Sequence, residues 1–254
     1  AFQGIGLGPG DEVLVQSLTY LSTFQAISAT GAVPVPCEVD PSTITVDLRD
    51  AEGRVTDRTR AIVPVHYASG VGPLHDIFRF AERHHLRVVE DAAHAFGTIY
   101  QSRPVGSFGD VACFSFDGIK NITSGEGGAV VTEDGEVIQQ VRDSRLLGVM
   151  RDTEQRFKGQ RSWEFDVERQ GFRYHMSNLF AAIGLVQLRR FSGFRERRVT
   201  MARRYAQALG PTSEIEILEL DLGNVVPHIY PIKVKHGRRD SLRQHLLDHD
   251  VECG

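Results

Sequence analysis

The stretch "CFSFDGIKNITSGEGGAVVT", Cys113 to Thr132, places one lysine between two apolar runs. Val111 to Phe116 reads as a buried strand that stops at Asp117-Gly118, and Ala129 to Thr132 reads as a second strand. Between them stand Lys120 and the run Ser124-Gly125-Glu126-Gly127-Gly128. A lysine matters chemically when its amine loses a proton and is held against a carbonyl, where it forms a Schiff base. Nearby glycines let backbone approach a ligand and adopt positive φ. The plain alternative is a surface lysine in a hairpin loop.

Outward from this stretch, short apolar runs alternate with helical spacing. Val13 to Val15 follows the turn "GPGDE"; Val33 to Val39 and Ala61 to Val65 are rich in valine; Arg87 to Asp91 is a strand ending in carboxylates. Leu21 to Thr30 and Leu74 to His85 read as helices. The pattern predicts an α/β fold, a mostly parallel sheet covered by helices on both faces. Ligands in such sheets sit at the C-terminal ends of strands, where Asp91 and Ser115 fall. Helices follow at Glu136 to Leu147, Ser177 to Phe191 and Arg195 to Leu209, then a strand at His228 to Lys235 and a helix at Asp240 to His249. We divide the chain into a large domain, 1–194, and the start of a smaller C-terminal domain, 195–254. Ala1-Phe2-Gln3 reads as the tail of a helix stopped by Gly4 to Gly10, and the sequence is expected to be a piece of a longer polypeptide.

Composition narrows the function. The chain has 254 residues, 41% hydrophobic, and a net charge of -4. That gives no global field for nucleic acid. The basic run "RRFSGFRERR", Arg189 to Arg198, is expected to be the solvated side of two helices. Cys37, Cys113 and Cys253 are few, odd in number and far apart, which fits a reducing cytosol better than a disulfide framework. No apolar run reaches membrane-spanning length and no signal peptide opens the sequence; a cytoplasmic protein without membrane contact is expected. Two glycine motifs fail: Lys120 is not in a P-loop, and "GIGLGPG" carries proline where a dinucleotide-binding glycine is needed and precedes its strand. Asp91, His94 and His66 could suggest a metal, but no short His/Cys pair of zinc type is present.

Lys120 has company in "VVEDAAHAFG", Val88 to Gly97. "EDAAHAFG", "GDVACFSFDGIKNITSGEGGAVVT", "GFRYHMSNLFAAIGLVQL", "GLGPGDEVLVQSLTYLST" and "PVHYASG" together resemble the DegT/DnrJ/StrS family of sugar aminotransferases, which use pyridoxal phosphate (PLP). The resemblance runs from about residue 4 to the end. It implies the aspartate aminotransferase fold, PLP-dependent transferase fold type I. It also implies roles. Lys120 would hold the cofactor covalently and then carry the proton. Asp91 would pair with the pyridine nitrogen, making the ring an electron sink. His94, where many relatives carry glutamine, would lie near the 3-hydroxyl, Ser115 would donate to the phosphate, and Tyr20 would stack on the ring. Each residue also has an ordinary reading: Asp91 as a helix N-cap or ion-pair member, Ser115 as a strand-end hydroxyl, Tyr20 as core.

Many relatives read Gly-Tyr-Asn-Tyr-Arg where this chain has Gly171-Phe172-Arg173-Tyr174-His175. Arg173 thus takes the place of an asparagine that reaches the neighbouring subunit's cofactor phosphate, and arginine can bind phosphate bidentately. A homodimer with shared active sites follows from the resemblance, with His175 a candidate for substrate contact; a surface arginine is the alternative. The implied reaction moves an amino group from an amino acid, L-glutamate, to a keto sugar nucleotide, at C4 or C3. An aminocyclitol aminotransferase, an aromatizing synthase and a non-catalytic PLP-binding regulator remain alternatives.

Overall fold

A computed structural model describes residues 1–150, 158–159, 165–167 and 169–254. Its centre is a six-stranded sheet. The strands are β1 (Glu12–Gln16), β2 (Val33–Cys37), β3 (Thr59–Val63), β4 (Arg87–Asp91), β7 (Val111–Ser115) and β8 (Gly128–Val131), in the order β2-β1-β3-β4-β7-β8. All neighbours are parallel except β7 and β8, which are antiparallel. Among the described residues the α-helices are α1 (Leu21–Ser28), α2 (Leu48–Glu52), α3 (Leu74–Arg83), α4 (Gly135–Ser144), α5 (Asn178–Leu209) and α6 (Arg239–Asp248), with a 3-10 turn at Tyr67–Ser69. Two small antiparallel pairs accompany them, β5 (Ile99–Tyr100) with β6 (Arg103–Pro104) and β9 (Ile215–Ile217) with β10 (Ile232–Val234).

The strand sequences explain the layering. All five residues of β1 are buried. Val13 and Val15 point to one face with Ile27 of α1 and Val137 of α4, while Leu14 points to the other with Ile77 and Phe80 of α3. A strand covered on both faces needs a continuous apolar run, which Val13-Leu14-Val15 supplies. Polar groups close the edges. Gln16 is fully buried, donating to Leu18 O at 2.8 Å and accepting from Val65 N at 3.1 Å. At the opposite end Arg87 makes a bidentate pair with Asp110 and reaches Asp134, the N-cap of α4. These contacts fix β4 against β7, and therefore fix where Asp91 ends.

Residues 1–7 form a hydrogen-bonded turn. Leu7 N donates to Phe2 O and Gly6 N to Gln3 O, with Gly6 at φ +85, which is a Schellman motif. The C-terminal half differs from expectation. Ser177 caps α5 through the Phe180 N–H, and the helix then runs 32 residues without a break, where the sequence suggests two helices parted at Ser192-Gly193. One glycine in a helix costs only about 1 kcal/mol, too little to end so long an element. Residues 194 and 195 therefore lie inside one helix. Among the described residues no helix is long and apolar enough to cross a membrane.

Candidate active site

Asp91 and Ser115 are the last residues of the parallel strands β4 and β7, so they share one edge of the sheet. The loop between β7 and β8 rises from that edge and carries Lys120. Its form is set by hydrogen bonds: Phe116 N to Gly127 O at 2.8 Å, Ser124 N to Phe116 O at 2.9 Å, and Lys120 N to Asp117 O at 3.1 Å. The glycines shape this loop. Gly127 stands at φ +147, and a Cβ on Gly128 would meet Phe114 O at 2.6 Å. The positive φ at Gly125 and Gly127 is the backbone freedom that the sequence predicts for these glycines, and Gly128 lets two chain segments approach. Among the described residues the Lys120 side chain makes no hydrogen bond or ion pair.

His94 stands beside Lys120. Its Nδ1 accepts from the Ala68 N–H at 3.3 Å. An imidazole nitrogen that accepts has no proton, so the neutral ring carries its proton on Nε2. Burial, then the neighbouring His228 ring, then the Lys120 charge push the His94 pKa down to about 3. The Ala68 donor requires strain: Ala68 and Ser69 both sit at positive φ, 51 and 75, and both are buried. Ser69 spends its hydroxyl on the carbonyls of His94 and Val226.

His228 is a site residue that sequence reasoning missed. Its ring centroid lies 4.3 Å from that of His94, its Nδ1 is buried without a partner, and burial, Lys120 and Arg198 lower its pKa to about 4, against a smaller opposing pull from Asp117. It arrives there on a strap, residues 224–228, laid against the segments of Phe96, Ile99 and Asn121. Ile99 N donates to Asn224 O at 2.8 Å, and Asn121, next to Lys120, donates to Val226 O at 3.3 Å and Phe96 O at 3.1 Å. Arg198 clasps the strap from α5, donating to Pro227 O at 3.2 Å, His228 O at 3.1 Å and Lys120 O at 3.5 Å. This corrects the reading of the basic run as wholly solvated. Its last arginine is half-buried because three carbonyls need a donor, and burial lowers its pKa. Only a proximity signal could have found His228, since Val226 and Asn121 are 105 residues apart.

The two histidines predict a pH response. Unfolded imidazoles take up protons near pH 6.5, whereas these rings stay neutral until about 4 and about 3. The folded values lie below the unfolded one, so the unfolded chain binds more protons in this window and stability falls as pH drops from 6.5 towards 4. A fully expressed shift gives a slope of about 1.4 kcal/mol per pH unit. Partial solvent contact and coupling of the rings reduce this, so we expect roughly 1–2 kcal/mol across the window. Urea midpoints measured through that range should show a shallower decline for His228→Gln. Identical slopes would refute the assignment.

The other residues fall as follows. Asp91 is not a helix N-cap; its Oδ2 accepts from Thr23 Oγ1 at 2.7 Å and its Oδ1 from Ala93 N at 3.2 Å. Ser115 Oγ accepts from Asp117 N at 3.4 Å. Tyr20 is not core: it precedes α1 with its side chain 78% exposed. His66 is fully buried, its backbone N–H on Asp91 O and its Nε2 2.8 Å from Glu90 Oε2. Arg173 is exposed, on a segment whose backbone pairs with Leu146, and the contacts within one chain do not bring it to Lys120. His175 lines a separate cavity of about 1060 Å³ on the α1–α4 face, which does not include Lys120, Asp91 or His94. Burial pushes the Cys37 and Cys113 thiols up to about 11, which keeps them un-ionised and poor nucleophiles at neutral pH.

A carboxylate and a hydroxyl at neighbouring strand ends, with a lysine on the loop that follows, invite comparison with known proteins. The chain is 37% identical to the spore coat polysaccharide biosynthesis protein SpsC of Bacillus subtilis (strain 168), over 97% of this chain and 64% of that protein. Among solved structures it resembles DesV of S. venezuelae, with 33% identity and TM-score 0.86, covering 99% of this chain and 64% of that one. It also resembles NtdA of Bacillus subtilis, solved with bound PMP, with 29% identity and TM-score 0.85, covering 98% and 55%. The chain thus spans less than two thirds of the length of these relatives. The family model of the DegT/DnrJ/EryC1/StrS aminotransferases matches residues 1–254, and the chain belongs to that family.

Proposed function

We propose that this chain carries the cofactor-binding core of a PLP-dependent aminotransferase, which moves the amino group of L-glutamate to a keto group, at C4 or C3, of a nucleotide-linked sugar. The observation that carries the proposal is Lys120, an amine without a protein partner among the described residues, raised on a cross-bonded loop at the sheet edge that also ends in Asp91. The donor set fits the cofactor. An amine suits its aldehyde, a carboxylate its ring nitrogen, and the Ser115 hydroxyl one of its phosphate oxygens. When bound, PLP supplies an aldehyde carbon for amine attachment and a pyridinium ring that withdraws electrons.

The chain's own groups do the rest. Lys120 Nζ binds the cofactor, then takes the proton from the donor's α-carbon and returns it. The Asp91 carboxylate holds the proton on the ring nitrogen. His94 offers Nε2–H to the ring's 3-oxygen, a geometry supported by the Ala68 hydrogen bond to Nδ1. Tyr20 covers a ring face. The molecule acts as a homodimer in the cytoplasm, with Arg173 reaching the phosphate in the neighbouring subunit. Residues 195–254 begin the smaller domain, whose strap already reaches Lys120.

The test is a panel. The protein loaded with PLP is first reacted with glutamate alone, then offered 4-keto and 3-keto nucleotide sugars and keto-inositols. Conversion of bound aldehyde to amine, followed by transfer to a keto sugar, supports the proposal. Transfer to keto-inositols alone assigns an aminocyclitol substrate, and no reaction with glutamate assigns a PLP-binding regulator.

A further inference from the structure

Thr23 stands 68 residues from Asp91 in sequence and touches it in the fold. It belongs to the first turn of α1, is buried, and donates its hydroxyl proton to Asp91 Oδ2 at 2.7 Å. A hydroxyl has one proton. With that proton spent on Asp91, the 2.9 Å contact between Thr19 Oγ1 and Thr23 Oγ1 must run from Thr19 to Thr23. The result is a directed chain: Thr19 O–H to Thr23 Oγ1, Thr23 O–H to Asp91 Oδ2. Serial hydroxyl donation strengthens each bond in turn.

The consequence falls on a proton. A donor to a carboxylate stabilises its ionised form. If Asp91 faces a pyridine nitrogen, as the proposed function holds, the two share one proton. With Thr23 donating to it, Oδ2 acts as an acceptor and the shared proton stays on nitrogen; without that donor Oδ2 is open to receive the proton itself. The donor also fixes the carboxylate's rotation. Oδ2 is taken by Thr23, while among the described residues Oδ1 carries only the longer bond from Ala93 N at 3.2 Å, so Oδ1 has acceptor capacity to spare. The same short segment holds Tyr20, so the ring-covering residue and the clamp on Asp91 move as one turn.

We infer that Thr23, supported by Thr19, is a positioning residue that holds Asp91 as an oriented carboxylate and so sets the protonation of the cofactor's ring nitrogen. The inference rests on the PLP reading of the site, and the experiment separates the two. The protein is loaded with PLP labelled with nitrogen-15 in the ring, and the ring-nitrogen chemical shift is read for wild type, Thr23→Val, Thr23→Ser and Thr19→Val. Wild type and Thr23→Ser should give the pyridinium signal. Thr23→Val, similar in shape but without the hydroxyl, should move towards neutral pyridine, with cofactor affinity weakened roughly tenfold. Thr19→Val should shift less, in the same direction, and it carries the test if Thr23→Val does not fold. A wild-type protein without PLP on Lys120 defeats the PLP reading and this inference with it. A wild type that binds PLP, with the ring signal unmoved in both valine variants, overturns the inference alone.

Discussion

Lys120→Ala abolishes covalent retention of pyridoxal phosphate and lowers amino transfer by about 10³–10⁴-fold, the scale expected when a positioned proton carrier is lost. The loop predicts that this happens without unfolding. Its hydrogen bonds run through backbone groups, Lys120 N to Asp117 O, Phe116 N to Gly127 O and Arg198 to Lys120 O, and alanine keeps all of them. No ion pair of the lysine is lost among the described residues, so urea midpoints should change by less than about 0.5 kcal/mol. The measurement is borohydride reduction followed by peptide mass analysis. In wild type the cofactor mass should appear on the peptide containing Lys120, and in Lys120→Ala on none. A label on another lysine, or turnover within tenfold of wild type, would remove the foundation of the proposed function. Lys120→Arg serves as a charge control: it keeps a cation in the loop but cannot form the bond, so it should match alanine in both assays.

The parts legible in the sequence were those written locally. Val13-Leu14-Val15 announces a strand buried on both faces, and Arg87 to Asp91 announces its carboxylate end, because side-chain alternation and strand boundaries are properties of neighbouring residues. Asp91, Ser115 and Lys120 could be placed on one edge because parallel strands carry their C-termini together. What stayed hidden depends on contacts across long spans of chain. Thr23 is an unremarkable helix residue until the fold sets it against Asp91. His228 reads as the start of a strand, yet it sits outside β10 on a strap stacked against His94. Arg198 looks solvated in a basic run, and only the strap's bare carbonyls explain its burial. The glycines around Lys120 stand out in the sequence, but the reason for Gly128 lies in the Phe114 carbonyl of the neighbouring strand.

Asp91→Asn separates binding from chemistry, as Lys120→Ala cannot. The amide keeps the shape of the carboxylate but has one accepting oxygen: its Oδ1 still accepts from Ala93 N, while its Nδ2 faces Thr23 Oγ1 as a donor, so the end of β4 should hold its form. What it loses is charge. A neutral amide does not hold a proton on a pyridine nitrogen, and a ring without that proton is a weaker electron sink. The cofactor should therefore remain attached to Lys120, detectable by borohydride trapping, while turnover falls by roughly 10²–10³-fold, the cost typical of losing one preorganised electrostatic partner. The loss should appear in kcat more than in KM, because the charge matters most where negative charge develops during proton removal. Asp91→Glu keeps the charge but moves it by one methylene on a strand end pinned by His66 N to Asp91 O. It should recover part of the rate, which a purely structural aspartate would not allow. If Asp91→Asn turns over within threefold of wild type while Lys120 is still labelled, the ring's electron-sink chemistry must be supported by a group other than Asp91.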